Sequence, residues 1–149
     1  MLTFRIVRPL NLEVDMPTEP EKLNYLAGIL DGDGYIIVSK IIKSGYHICK
    51  VGICNTDLGI LNYCKSILND LHVFYCEHKQ NNKYNPLGKK TCYIVEVNRK
   101  NECCFLLEKV LPYLQSYKKE KAIQAITLLN SLTRRDGKKS NRRKHQGGD

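Results

Sequence analysis

The residues best suited to chemistry lie at positions 25–34, which run YLAGILDGDG. Two carboxylates, Asp31 and Asp33, fall at the end of a predicted helix, where the negative end of the helix dipole calls for a compensating cation. The glycines beside Asp33 leave room for close approach, and carboxylate oxygens suit a hard divalent cation such as Mg²⁺. A phosphate-binding glycine loop would precede its helix, whereas this one follows it, so the segment predicts a metal-binding turn.

Two other interpretations of residues 31–34 compete with a metal site. Four residues of this type, taken alone, are adequately explained as a turn between a helix and a strand. They could also open a calcium loop of the EF-hand kind. That alternative is rejected, because the twelfth loop position counted from Asp31 is Ile42 rather than glutamate, and Tyr35 stands where a ligand belongs.

The helices and strands that position the two carboxylates can be predicted from hydrophobic periodicity and turn signals. The first helix begins near Thr18, a capping residue, and should stop at the Asp-Gly repeat, because glycines disfavour helix. The later elements are strands over residues 35–42 and 46–54, a helix after 55–57, strands over 73–79 and 91–97, and helices over 101–113 and 118–132. This order predicts an α+β domain, with four antiparallel strands and the helices on one face.

The face of the sheet without helices is predicted to be polar and basic. Strand alternation and the adjoining loops supply its candidate DNA contacts, which are Tyr35, Ser39, Lys43, Tyr46, Lys50, Lys79, Lys83, Lys89 and Lys90. Such a surface suits nucleic acid. An ordinary solvated sheet face would show the same pattern, so the strands alone do not decide between the two.

The chain has 149 residues, which suggests one domain, and a formal net charge of +9 from 24 Lys and Arg against 15 Asp and Glu. We divide it into an N-terminal arm over residues 1–17, the α+β domain over 18–133, and a basic tail over 134–149 that we expect to be disordered. The tail suits either a polyanion or simple solubility. No apolar stretch reaches the length of a membrane span, and no secretory signal is evident, so no membrane partner is expected.

Cysteine is frequent, and its seven copies are spaced unlike a zinc site. Most have apolar neighbours, so we interpret them as reduced thiols in the core of an intracellular protein. A bridge between Cys76 and Cys92 is conceivable, because both fall in candidate paired strands.

The run at positions 25–34 resembles the signature of the LAGLIDADG homing endonucleases, and the similarity of element order extends over about residues 20–133. The resemblance implies an αββαββα fold with a saddle-shaped antiparallel sheet. It also implies a site-specific endonuclease that hydrolyses both strands of a long, pseudo-palindromic DNA target. Genes of this family commonly lie within introns or inteins.

The resemblance also assigns roles to individual residues. Asp33 would bind the divalent cation, Mg²⁺ or another such as Mn²⁺, and the carbonyl of Gly32 would help. Asn55, at the end of the second strand, would organise water, although its position suits a cap of the second helix equally well. Lys118 would stabilise charge, with Lys119 as the alternative because the spacing before the fourth helix is one residue longer than expected.

A single signature implies a homodimer, in which two copies of the first helix pack together. The residues expected at that interface are Leu23, Leu26, Ala27, Gly28 and Leu30. Two other functions remain open on the same fold: a maturase that binds intron RNA, and a DNA-binding regulator without cleavage. The retained Asp33 favours the nuclease, since neither alternative needs that acid.

Overall fold

The computed structural model describes residues 15–80 and 90–146, with side chains as far as residue 132. Several of the segments and residues singled out above lie outside these ranges: residues 1–14 of the arm, Lys83, Lys89, and the side chains and last three residues of the tail. The described elements are α1 (Glu19–Asp33), β1 (Gly34–Lys40), β2 (His47–Asn55), α2 (Leu58–Asp70), β3 (Cys76–Lys79), β4 (Tyr93–Val97), α3 (Lys100–Val110), a 3₁₀ turn (Leu111–Tyr113) and α4 (Lys118–Gln146).

The described strands form one antiparallel sheet in the order β1-β2-β4-β3. Each outer strand pairs with its own hairpin partner, and β2 pairs with β4 to join the two halves at the centre. The buried apolar positions alternate along β2 as Cys49, Val51 and Ile53, which face the helices. The α+β fold expected from the sequence is therefore confirmed.

The first helix begins and ends where the sequence predicts. The Thr18 hydroxyl accepts a hydrogen bond from the Glu21 N–H at 3.4 Å, which caps the first turn. The helix ends within the Asp-Gly repeat, at Asp33, and the Gly34 N–H then donates to the Leu30 carbonyl. A Cβ on Gly34 would lie 2.6 Å from the Leu30 Cα, so only glycine fits this close approach.

The backbone of the basic tail is helical as far as Gln146, because α4 continues without a break from Lys118. This differs from the disorder expected from residue 134 onward. Lysine and arginine are good helix formers, so a polar segment of this kind can extend an existing helix without an apolar face of its own. No helix in the described ranges is long and apolar enough to cross a membrane.

The disulfide in the structure joins Cys54 to Cys92, with Cα atoms 6.4 Å apart, and leaves Cys76 as a free thiol. The reduced state expected of the cysteines is therefore wrong for Cys54 and Cys92. The bridge considered between Cys76 and Cys92 is not formed, because Cys76 pairs in register with Glu96, whereas Cys92 precedes β4 and lies near the end of β2. Three other thiols are buried, and burial raises the pKa of Cys64 to about 11. The thiols therefore behave mainly as core side chains.

Alkylation should report this arrangement directly. With iodoacetamide and no reductant, the native protein should gain label on Cys76 and, more slowly, on Cys104, whose thiol pKa is raised by burial and by Glu108. Unfolding without reductant should expose five free thiols, and reduction should release the remaining pair. Intact-mass spectrometry counts the labels, and seven labels on the unfolded, unreduced chain would contradict the disulfide.

Candidate functional site

The residues at the ends of α1 and β2 meet in a carboxylate–amide pair. Asp33 is the last residue of α1, and Asn55 is the last residue of β2. The Asn55 Nδ2 donates a hydrogen bond of 2.9 Å to the Asp33 carboxylate. The Asn55 Oδ1 accepts the Asp57 N–H at 2.8 Å, so both ends of the amide are held and its orientation is fixed.

The cap of the second helix is Asp57 rather than Asn55. The Asp57 carboxylate accepts the N–H groups of Gly59 and Ile60, at 2.8 Å and 3.2 Å. Asn55 lies two residues earlier, and its Oδ1 accepts the backbone N–H of the capping residue Asp57. Its side-chain amide is directed at Asp33, and the capping alternative does not account for its contacts.

The donor chemistry at Asp33 fits a hard divalent cation. The carboxylate is exposed and lies at the carbonyl-rich end of α1, beside Gly32. Mg²⁺ is commonly held by one or two carboxylates, with water and substrate phosphates completing its octahedron. No group of three or more His, Cys, Asp or Glu side chains forms a complete metal site within residues 15–80 and 90–132. A cation here would thus need ligands from water, a phosphate or a second chain.

Asp31 points away from Asp33, into the loop that precedes α4. Its carboxylate accepts hydrogen bonds from the Gln115 N–H at 2.8 Å, the Ser116 N–H at 3.1 Å and the Ser116 hydroxyl at 2.5 Å. Partial burial works against ionisation, but the bonds from Ser116 and Gln115 and the charge of Lys118 outweigh it and lower the pKa of Asp31. The two acids of the signature therefore have different partners.

Lys118 is buried at the end of α1, with 6% of its surface exposed. Its Nζ donates to the carbonyl of Leu30 at 2.7 Å and to the carbonyl of Asp31 at 2.8 Å. These bonds satisfy carbonyls of the last helical turn and place a cation at the negative end of the dipole. Lys119 is exposed, and its N–H bonds the Ser116 carbonyl at 3.0 Å. A role for either lysine in charge stabilisation stays a prediction.

The open face of the sheet has a cluster centred on Glu96. Tyr35 donates its hydroxyl to the Glu96 carboxylate, and the Lys50 Nζ and His78 Nε2 lie 3.9 Å and 3.8 Å from Glu96 Oε1. Burial and Glu96 together raise the pKa of Tyr35 well above its usual range. A Cβ on Gly52 would lie 2.3 Å from the Tyr35 ring, so this glycine makes room for the tyrosine.

The structure distributes the expected DNA contacts over several surfaces. Tyr35, Ser39 and Lys50 lie on the open face, as strand alternation predicted. Lys79 does not, because it pairs with Tyr93 on the side of Glu77, which bonds Lys65 of α2. The rest of the expected set that the structure describes lies beyond the strand ends: Lys43 and Lys90, both exposed, and Tyr46, whose ring centroid is 5.8 Å from the Lys100 Nζ.

Two residues of the open face, Glu96 and His78, were not among the expected contacts. Glu96 stands between Val95 and Val97, both buried against the helices, so strand alternation alone places it on the opposite face. That single acid in an apolar strand was the available signal. His78 pairs in register with Ile94, and its position follows only from the pairing of β3 with β4.

Four of the five residues expected at a dimer interface are buried inside this chain. Between 0% and 5% of their surface is exposed, because this side of α1 packs on the sheet and neighbouring helices; they are Leu23, Leu26, Ala27 and Leu30. Gly28 lies on the opposite side, which is exposed and also carries Tyr25 and Gly32. The expected interface is therefore wrong for those four residues, and only Gly28 remains on a surface that a second chain can reach.

Comparison with known proteins identifies the fold. No protein-family model matches the sequence, and no curated protein matches it either. A crystal structure of the homing endonuclease I-CvuI with the I-CreI target has a TM-score of 0.57 and 22% identity, covering 77% of this chain and 69% of that one. A second, of I-CvuI with its own target, has a TM-score of 0.61 and 20% identity over the same shares. The chain thus has the fold of these two structures.

Proposed function

We propose that this chain is a metal-dependent, site-specific DNA endonuclease of the LAGLIDADG type that acts as a homodimer. The observation that supports this most strongly is the pair formed by Asp33 and Asn55. It stands at the junction of α1 with the sheet, within the signature run, on a fold shared with I-CvuI in complex with DNA. A chain that only bound nucleic acid would not need a carboxylate held in this way.

Asp33 would hold Mg²⁺ or Mn²⁺, with help from the Gly32 carbonyl. When bound, the cation would supply an activated water and stabilise the leaving oxygen of the phosphodiester. The chain itself orients the carboxylate, because Asn55 donates to Asp33 and is anchored in turn by the Asp57 N–H. The Lys118 ammonium offsets the negative end of α1, which is the end that carries Asp33.

The open face would lie against the major groove, which is wide enough for a two-stranded ribbon. The β1–β2 hairpin offers Ser39 and Lys50 on that face and Lys43 at its turn. Lysines would contact phosphates, while the polar cluster around Glu96 offers groups that can donate to or accept from base edges.

The exposed side of α1 would form the dimer. Within the described part of the chain, and apart from the adjacent residues and the helix's own backbone, no atom lies within 4 Å of a Cβ built on Gly28 or Gly32. Two such helices could therefore approach closely along the side that also carries Tyr25. Because Asp33 ends the same helix, packing two copies would bring two metal-binding carboxylates together over a two-fold target.

Deletion of residues 134–149 should weaken binding to all duplexes by similar factors. The segment has seven basic side chains and no aromatic ones, so it can neutralise phosphates but has few groups that read bases. For every phosphate that is no longer neutralised, the slope of log affinity against log salt should flatten by about 0.9. Fluorescence anisotropy over a salt series measures both quantities. An unchanged slope with poorer discrimination between single-base variants would show that the tail reads sequence.

The proposed function is tested by selecting ligands from a randomised double-stranded DNA library with the full chain in Ca²⁺. We expect one pseudo-palindromic consensus, and cleavage of that selected duplex when Mg²⁺ replaces Ca²⁺. An RNA library selected in parallel addresses the maturase alternative. Enrichment of a structured RNA with no DNA consensus would contradict the endonuclease and favour the maturase, and a DNA consensus that is never cleaved would favour the regulator.

A further inference from the structure

We infer that Asp31, the first acid of the signature, is a positioning residue that fixes Asp33 by fastening the end of α1 to the start of α4. Its relevance to cleavage rests on the proposed function, but the positioning itself does not. The feature that carries the inference is a set of reciprocal bonds between the two helix ends, which we call the clasp and define as Asp31, Gln115, Ser116 and Lys118.

The clasp gives hydrogen-bond partners to backbone groups at both helix ends, namely N–H groups at the start of α4 and carbonyls at the end of α1. The Asp31 carboxylate accepts three hydrogen bonds from Gln115 and Ser116, just before α4. The Ser116 hydroxyl oxygen also accepts the Lys118 N–H at 3.2 Å, which holds the first residue of α4. In return, the Lys118 Nζ donates to the carbonyls of Leu30 and Asp31 in the last turn of α1. These residues are more than 80 positions apart in the chain.

The last turn of α1 needs such support. Its residues after Asp31 are Gly32 and Asp33, and Gly34 follows directly. Glycine gains the most conformational freedom when a helix end opens, and the terminal carbonyls of a helix have no partner within it. Without the clasp, this turn would fray and the bond between Asp33 and Asn55 would be broken for part of the time.

Asp31 is not placed to share a cation with Asp33. Its Oδ2 accepts the Gln115 N–H, and its Oδ1 accepts both bonds from Ser116. Both oxygens are therefore committed to the loop before α4. The two acids of the signature therefore have different roles: Asp31 holds the last turn of α1 in place, and Asp33 is positioned by that turn.

The test compares ¹⁵N-labelled full-length variants in solution, without DNA or metal. In Asp31→Ala, the Asn55 side-chain amide and the Gly34 backbone amide should shift and broaden, because the pair between Asn55 and Asp33 becomes partly populated. Asp70→Ala is the matched control, since it removes an exposed acid that bonds Lys22 at 2.7 Å near the other end of α1. It should leave both amide signals in place.

A second measurement uses single-turnover cleavage of the selected duplex. Asp31→Ala should slow cleavage by about 100-fold, the order expected for a reacting group displaced by about 1 Å, with duplex affinity nearly unchanged. Ser116→Ala should have a smaller effect, and the double variant should be no slower than Asp31→Ala. This non-additivity is the signature of two residues that act through one contact.

Unchanged Asn55 and Gly34 signals in folded Asp31→Ala would overturn the inference, as would additive effects of Asp31→Ala and Ser116→Ala. If Asp31→Ala does not fold, Ser116→Ala decides, because it deletes one hydroxyl and must still shift the Asn55 amide. A wild-type chain that cleaves no DNA would contradict the proposed function alone. The amide comparison would still decide whether Asp31 positions Asp33.

Discussion

Asp33→Asn should abolish cleavage of the selected duplex while leaving its binding nearly intact. A neutral amide keeps the shape of the side chain and can still accept from the Asn55 Nδ2, so the local structure persists. It lacks the negative charge that a hard cation requires. Changes to groups that only orient metal ligands typically cost 10- to 100-fold, so removal of the ligand itself should slow single-turnover cleavage by more than about 100-fold.

Asp70→Asn is the matched control for this substitution, because it makes the same chemical change at an exposed acid near the start of α1. It should cleave at the wild-type rate. Duplex affinity is measured for both variants in Ca²⁺, which separates binding from chemistry. Normal cleavage by Asp33→Asn, at any Mg²⁺ concentration, would contradict the role of Asp33 as a metal ligand.

Gly28→Leu should convert a dimer into a monomer and abolish double-strand cleavage with it. The structure leaves open space around Gly28, so the leucine fits the isolated chain. In a close crossing of two helices it would have no room, and overpacking of this kind typically costs about 1–3 kcal/mol, occasionally more. Sedimentation velocity at micromolar concentration should show a wild-type dimer and a Gly28→Leu monomer that is still folded by circular dichroism, although it melts lower than the dimer because association stabilises the folded state.

Asn101→Leu provides the comparison, since it adds the same side chain at an exposed position of α3. It should remain dimeric. A wild-type monomer in the presence of the duplex would contradict the homodimer. A Gly28→Leu chain that dimerises with the wild-type subunit affinity would show that the interface does not lie at Gly28 of α1.

Local signals explain why the elements of this fold were predictable. The Thr18 and Asp57 caps act within one helical turn, and the alternation along β2 reports a single buried face. Such features depend on neighbours in the sequence. The positions of Asp33 and Asn55 could also be predicted, because each residue ends an element whose bounds follow from the local sequence pattern.

Contacts between distant segments explain what the sequence did not predict. Periodicity showed that Leu23 and Leu26 are buried, but it could not show that they pack within their own chain instead of against a second copy. The face of Lys79 and the partner of Cys92 both depend on how the second hairpin pairs with β2. The contacts of Asp31 depend on a loop more than 80 residues away.

Cleavage of both strands of a defined DNA site, with a divalent cation at Asp33, is central to the proposed function. The most direct measurement maps the ends produced from the selected duplex, labelled on each strand in turn, with Mg²⁺ or with EDTA. We expect one cut per strand in Mg²⁺, placed symmetrically about the pseudo-dyad, and intact duplex in EDTA. Cleavage that persists in EDTA, or an intact duplex in Mg²⁺ under conditions where the chain is bound, would contradict the proposed function.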